Sequence, residues 1–129
     1  MPVRWAVQGD VLTLTFDGEY SFDEIAAAAR AGLASAPGRF RLLVNAAPTA
    51  RLPDSQGVKQ RIALLGEIKE RLSGPVAIVA TPGAMYGIAR QIGQQAEVPN
   101  SLIVRVFEDL AEAQRWLARG AGPEPPVRE

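Results

Sequence analysis

Short apolar runs of strand length alternate with longer segments whose apolar residues recur at helical spacing, and this alternation constrains the fold most strongly. Residues 76–80 are continuously apolar, which is typical of a central parallel strand. Residues 40–44 and 102–107 are also predicted strands, and each is apolar except for one arginine. A helix between successive strands favours a parallel sheet with right-handed crossovers. The pattern therefore predicts an α/β domain.

The chain begins with a predicted hairpin. Residues 3–7 and 12–16 each alternate apolar side chains with other residues, which indicates two strands with one buried face. Gly9 lies between them and is able to adopt the positive φ that a short hairpin turn favours. We therefore expect an antiparallel pair ahead of the α/β units.

Capping residues predict where the first two helices begin. Ser21 and Glu24 have the spacing of a capping box. The second helix is predicted to begin at Asp54 or Ser55, and its apolar stripe extends to Leu72. Its charged residues are expected to face water, and they are Lys59, Arg61, Glu67, Lys69, Glu70 and Arg71.

Two further helices complete the predicted order. Thr81 and Pro82 are typical of a cap and a first helical position, and Asp109 is the predicted cap of the last helix. The order is ββαβαβαβα, a two-layer domain whose mostly parallel sheet starts with an N-terminal hairpin. We assign this domain to residues 1–120 and expect residues 121–129, which are rich in proline, to be a disordered tail.

The two faces of the predicted sheet differ in polarity. Arg41 and Arg105 share their strand parity with the threonines of the second strand, so one face is wetter, which favours two layers. Leu43, Ile103 and Phe107 also belong to that wetter face. A partner or a second subunit could cover them.

Composition excludes several classes of function. The 129 residues include 14 basic and 14 acidic side chains, so the chain lacks the bulk charge that draws proteins to nucleic acid. Cysteine and histidine are absent from the sequence, which removes thiolate nucleophiles and the commonest acid–base group and metal ligand. We expect no catalytic residues, no cofactor and no metal site. The sequence shows neither a membrane-length apolar run nor a signal-peptide pattern at its start, so a cytoplasmic protein is expected.

Several stretches of the chain resemble a known family. They are residues 41–45, 74–80, 86–90, and 104–110 with 116–117. In them the chain is similar to the STAS domain of bacterial anti-sigma-factor antagonists, and more closely to small uncharacterised bacterial proteins of the STAS/SEC14-like (SpoIIAA-like) group. With the hairpin, the resemblance spans about residues 3–119. It implies a two-layer α/β fold without a metal or an organic cofactor.

The resemblance also implies a switch site. In the antagonists an Asp-Ser-Ser-Gly-like turn opens the second helix, and a partner kinase phosphorylates its first serine. Asp54, Ser55 and Gly57 lie at the matching place, which implies that Ser55 is the switch within a partner-binding surface. This chain departs from the pattern in its proline-interrupted loop at residues 46–53. The alternative is that Asp54 only caps the helix and Ser55 is an ordinary first-turn residue.

A second set of candidate residues could bind a ligand. Asn45 and Thr81 follow predicted parallel strands, at the carboxyl ends where ligands bind open sheets. Tyr86 and Arg90 are four residues apart on the third predicted helix and could bind a carboxylate or a partner. The alternative for that pair is a surface tyrosine stacked on an arginine stem.

Three functions remain open from the sequence. The leading hypothesis is a non-enzymatic regulatory module that docks on a protein partner. In one variant of this hypothesis, phosphorylation switches the docking. The chain could also form a homodimer. The second is a carrier or sensor of a small apolar ligand or lipid, which the SEC14 part of the family name suggests. A carrier requires an apolar cavity on the order of several hundred cubic ångströms. The third is an enzyme that uses carboxylates with Tyr86 and Arg90.

Overall fold

The computed structural model describes residues 3–48, 52–100 and 102–119, and the predicted tail at residues 121–129 lies outside them. The strands are β1 (Val3–Gln8), β2 (Val11–Phe16), β3 (Phe40–Asn45), β4 (Leu72–Val79) and β5 (Val104–Phe107). The helices are α1 (Phe22–Ala34), α2 (Ser55–Ile68), α3 (Ala84–Asn100) and α4 (Leu110–Ala118), with a 3-10 turn at Lys69–Arg71. The predicted order ββαβαβαβα is confirmed.

The sheet has five strands in the order β1-β2-β3-β4-β5. β1 and β2 are antiparallel, and each later strand is parallel to the one before it. The mostly parallel sheet with an N-terminal hairpin is therefore confirmed. Because β2, β3 and β4 point the same way, their carboxyl ends and the segments that lead into α1, α2 and α3 lie at one edge of the sheet.

The main core lies between one face of the sheet and the helices α1, α2 and α3. Leu12, Leu42 and Val76 project from neighbouring strands into this core and are almost completely buried. Ile25 of α1 and Leu65 of α2 belong to the same cluster, as do residues of α3. Each crossover moves the chain one strand along in the same direction, so all three helices pack on the same face.

The opposite face carries α4. Trp116 is 1% exposed, and its ring centroid lies 5.4 Å from that of Phe107. Leu43 and Leu117 belong to the same buried cluster. The expectation that a partner covers Leu43 and Phe107 is therefore wrong, because the chain's own last helix covers them. Ile103, just before β5, remains 37% exposed.

The predicted end of α2 is wrong. The helix stops at Ile68, and Leu72 begins β4, where it pairs with Phe40. Leu72 is four residues beyond Ile68, so it keeps the apolar spacing of a helix although it belongs to the sheet core. In the intervening turn, Arg71 donates hydrogen bonds to three carbonyl groups at and beyond the end of α1, which fixes the approach to β4.

The predicted start of α3 is also wrong. Thr81 is exposed and lies ahead of the helix, which begins at Ala84. Gly83 has a φ of 101°, a left-handed conformation that glycine readily adopts and that interrupts helical geometry before Ala84. The N–H of Gly87 donates to the carbonyl of Gly83 at 3.1 Å. Gly83, and not Thr81, is therefore the residue directly before the first turn of α3.

Candidate functional site

The predicted switch segment forms the start of α2. Asp54 is the N-cap, and its Oδ1 accepts a hydrogen bond from the backbone N–H of Gly57 at 2.7 Å. Its carbonyl accepts the N–H of Val58 at 2.9 Å. Ser55 is the first residue of the helix and is exposed. The prediction that α2 begins at Asp54 or Ser55 is confirmed.

Gly57 lets the preceding loop pack tightly on the helix. A Cβ atom at this position would lie 3.0 Å from Pro53 Cβ, 3.0 Å from Arg61 Nη1 and 3.3 Å from Asp54 Oδ1. These separations are below ordinary van der Waals contact. A side chain at this position would require these neighbours to shift by a few tenths of an ångström, so the close approach favours glycine and gives it a packing reason.

Arg61 contradicts the expectation that the charged residues of α2 face water. It is half-buried, and its Nη1 donates to the carbonyl of Gly57 at 2.9 Å. Its Nη2 donates to the hydroxyl of Tyr20 at 3.3 Å, and its guanidinium carbon lies 5.8 Å from the Tyr20 ring centroid. The sequence contains a weak indication of this contact. Arg61 comes four residues after Gly57, so the two lie on the same side of the helix, and the missing side chain of the glycine leaves room for the guanidinium.

A surface groove of about 250 Å³ separates the segment before α2 from the start of α1. It is lined by Tyr20, Ser21, Phe22, Leu52, Pro53, Asp54, Gly57, Gln60 and Arg61. Leu52 is 45% exposed, which places an apolar side chain beside the polar groups of the helix start. We call Leu52, Pro53, Asp54 and Ser55, together with this groove, the α2 N-terminal surface.

An apolar cavity of about 80 Å³ lies between the sheet and helices α1, α2 and α3. Its walls include Leu14 and Val44 of the sheet and Met85 and Ile88 of α3. The groove and the cavity have three wall residues in common, which are Tyr20, Pro53 and Arg61. The cavity is smaller than the several hundred cubic ångströms expected of a carrier.

Two of the other predicted ligand-binding residues, Asn45 and Tyr86, lie on different faces of the sheet. Asn45 Oδ1 accepts the N–H of Ala47 at 3.2 Å, which closes the turn after β3. Its strand parity is that of Leu43, on the α4 face of the sheet. Tyr86 packs against the core on the other face, and Arg90 is exposed on α3. Asn45 and Tyr86 therefore belong to opposite faces of the sheet.

Many of the carboxylates have structural partners. Glu24 completes the capping box with Ser21, as predicted, and Asp109 caps α4. Asp10, Glu67 and Glu97 pair with arginines. Across residues 3–48, 52–100 and 102–119, acidic side chains do not gather in threes as a metal site would need. Over these same ranges, none of the helices combines the length and apolar character required to span a membrane.

Comparison with known proteins defines the fold. No family profile matches the chain, and no curated protein sequence is detectably similar to it. A solved structure of an uncharacterised DUF3478-family protein with a SpoIIAA-like fold from Shewanella loihica is 16% identical, with a TM-score of 0.60 over 89% of this chain and 91% of that one. An anti-sigma factor antagonist from Mycobacterium paratuberculosis is 17% identical, with a TM-score of 0.59 over 90% and 92%. The protein therefore has the STAS-like, or SpoIIAA-like, fold that the sequence predicts.

Proposed function

We propose that the protein is a non-enzymatic regulatory module that binds a protein partner through the α2 N-terminal surface. One structural neighbour is named an anti-sigma factor antagonist, and this likeness in fold supports a regulatory, protein-binding role. The engagement of many carboxylates in caps and ion pairs supports a role other than acid–base catalysis.

The exposed side chain of Leu52 is the observation that carries this proposal. Burial of the 45% that is exposed would contribute about 1 kcal/mol to a complex, since full burial of a leucine contributes roughly 1.5–3 kcal/mol. The adjoining groove of about 250 Å³ can accept a side chain from the partner. An apolar contact beside a concave polar surface is typical of a protein interface.

Ser55 gives this surface a means of control. A phosphate there would add about 1.5 to 2 negative charges at the first position of α2. The helix N-terminus tolerates negative charge, typically with a gain of about 0.3–1 kcal/mol, so α2 would remain folded. The docking surface would nevertheless change its charge next to Leu52. Phosphorylation would therefore weaken a complex without unfolding the module.

Affinity capture with matched variants tests the proposal. Four baits are incubated with an extract of the organism that encodes the chain. They are the unmodified protein and the variants Leu52→Ser, Ser55→Glu and Ser55→Ala. Ile103→Ser is the control, because Ile103 is similarly exposed at 37% but lies next to β5. We expect a partner that Leu52→Ser and Ser55→Glu lose and that Ser55→Ala and Ile103→Ser retain. Titration calorimetry with the purified partner then measures each affinity, and equal affinities for all variants contradict the proposal.

A second candidate function is a sensor or carrier of a small apolar ligand. The apolar walls of the internal cavity support it, and the volume of about 80 Å³ restricts it to a ligand smaller than a lipid. Native mass spectrometry of freshly purified protein tests it. An added mass that disappears under denaturing conditions supports ligand binding. A native mass equal to that of the protein alone counts against a tightly bound endogenous ligand.

A further inference from the structure

We infer that the cavity binds a short-chain monocarboxylate, with the alkyl chain in the apolar interior and the carboxylate at Arg61 and Tyr20. This inference rests on the ligand-binding candidate function and is independent of protein docking. It depends on the position of Arg61 and Tyr20 in the wall shared by the cavity and the surface groove.

The size of the cavity sets the length of the ligand. A dry apolar cavity of about 150 Å³ binds benzene, so a cavity of about 80 Å³ accommodates roughly three alkyl carbons. Butanoate has a chain of three carbons beyond its carboxylate. The diacyl lipids of membranes are much larger. The interior walls supply aliphatic side chains such as Leu42 and Ile78, which suit an alkyl chain.

The polar end of the ligand must accept hydrogen bonds. A guanidinium has five N–H donors, and two hydrogen bonds from Arg61, to Gly57 and Tyr20, are described. The Tyr20 hydroxyl accepts from Arg61, so its own hydrogen can be donated to a ligand. Arg61 and Tyr20 therefore both offer donors at this wall.

The charge at the wall favours an anionic acceptor. In the part of the chain that the structure describes, Arg61 has no carboxylate within ion-pair distance. Asp54 lines the groove, and its Oδ1 is engaged by the N–H of Gly57. The planar fork of a guanidinium matches the two oxygens of a carboxylate, and such charge-assisted bonds are about twice as strong as neutral ones. A monocarboxylate thus satisfies both the shape and the charge of this wall.

Paired ligands and paired variants test this assignment. Butanoate and 1-butanol are titrated into the unmodified protein and into three variants, Arg61→Gln, Tyr20→Phe and Arg30→Gln. Binding is measured by calorimetry and by chemical-shift changes. Arg30 is the control because its guanidinium pairs with Glu67 on the surface and does not line the cavity. Thermal unfolding verifies that each variant is folded. Tyr20→Phe keeps the ring and removes only the hydroxyl, so it remains informative if Arg61→Gln is unstable.

We expect butanoate to bind at least tenfold more tightly than 1-butanol. Arg61→Gln should weaken butanoate binding about tenfold or more, Tyr20→Phe several-fold, and Arg30→Gln less than twofold. Similar affinities for the two ligands, both lost when Ile88→Trp fills the cavity, would overturn the carboxylate assignment and leave the ligand-binding function standing. Binding of neither ligand would overturn this inference, whereas an adduct in native mass spectrometry would still support the candidate function.

Discussion

Gly57→Ala tests how the loop before α2 packs on the helix. Alanine is favoured over glycine inside a helix by about 1 kcal/mol. At this site the new methyl group would lie 3.0 Å from both Pro53 Cβ and Arg61 Nη1. The proline ring is rigid and Arg61 is held by two hydrogen bonds, so the overpacking costs about 1–3 kcal/mol. We therefore expect a net change between no effect and a loss of about 2 kcal/mol.

Gly87→Ala is the matched control for this substitution. Gly87 lies in the first turn of α3, and a Cβ atom there would meet nothing within 4 Å. The control should gain about 0.5–1 kcal/mol from helix propensity alone. Urea unfolding of both variants measures the difference, which we expect to be about 1–3 kcal/mol in favour of Gly87→Ala. Equal stabilisation by the two alanines would show that Pro53 and Arg61 do not press on Gly57, and would refute the described packing.

The remaining predictions concern stability elsewhere in the fold, and each is checked by urea unfolding. Arg71→Ala should cost about 1.5–3 kcal/mol, because it removes the donors to three carbonyl groups at and beyond the end of α1; an unchanged midpoint would contradict those bonds. Arg30→Gln should change stability by less than about 1 kcal/mol, since its ion pair with Glu67 is exposed; a larger loss would contradict a surface pair. Trp116→Ala should cost about 3–5 kcal/mol, because the side chain is 1% exposed between α4 and the sheet; a loss below about 1 kcal/mol would argue against α4 as the cover of that face.

The helix starts that are set by neighbouring capping residues were predictable from the sequence. Ser21 and Glu24 form the predicted capping box, and Asp54 caps α2 as expected, because a cap depends on residues within one turn. Of the two predicted boundaries that failed, only the end of α2 depends on a contact between residues distant in sequence. Leu72 fits a helical stripe, but its pairing with β3 decides its conformation. At the start of α3, the backbone of Gly83 overrides the favourable Thr81.

The candidate site was only partly predictable. Asp54, Ser55 and Gly57 stood out because they are close in sequence and match the turn of a known family. Arg61 and Tyr20 are 41 residues apart, and their contact exists only after α1 and α2 pack side by side. The face that α4 covers is likewise a tertiary property, since an amphipathic helix does not specify which apolar surface it meets. The shared wall between groove and cavity could therefore be found only in the structure.

Site-specific photo-crosslinking in living cells tests the central claim most directly. A photoreactive phenylalanine derivative replaces Leu52 in one variant and Ile103 in another, since both side chains are exposed on the described surface. Irradiation followed by mass spectrometry identifies any protein attached at each position. Docking through the α2 N-terminal surface predicts a specific protein adduct from position 52 that is absent from position 103 and that Ser55→Glu abolishes. The same adducts from both positions, or no protein adduct from position 52, would contradict it.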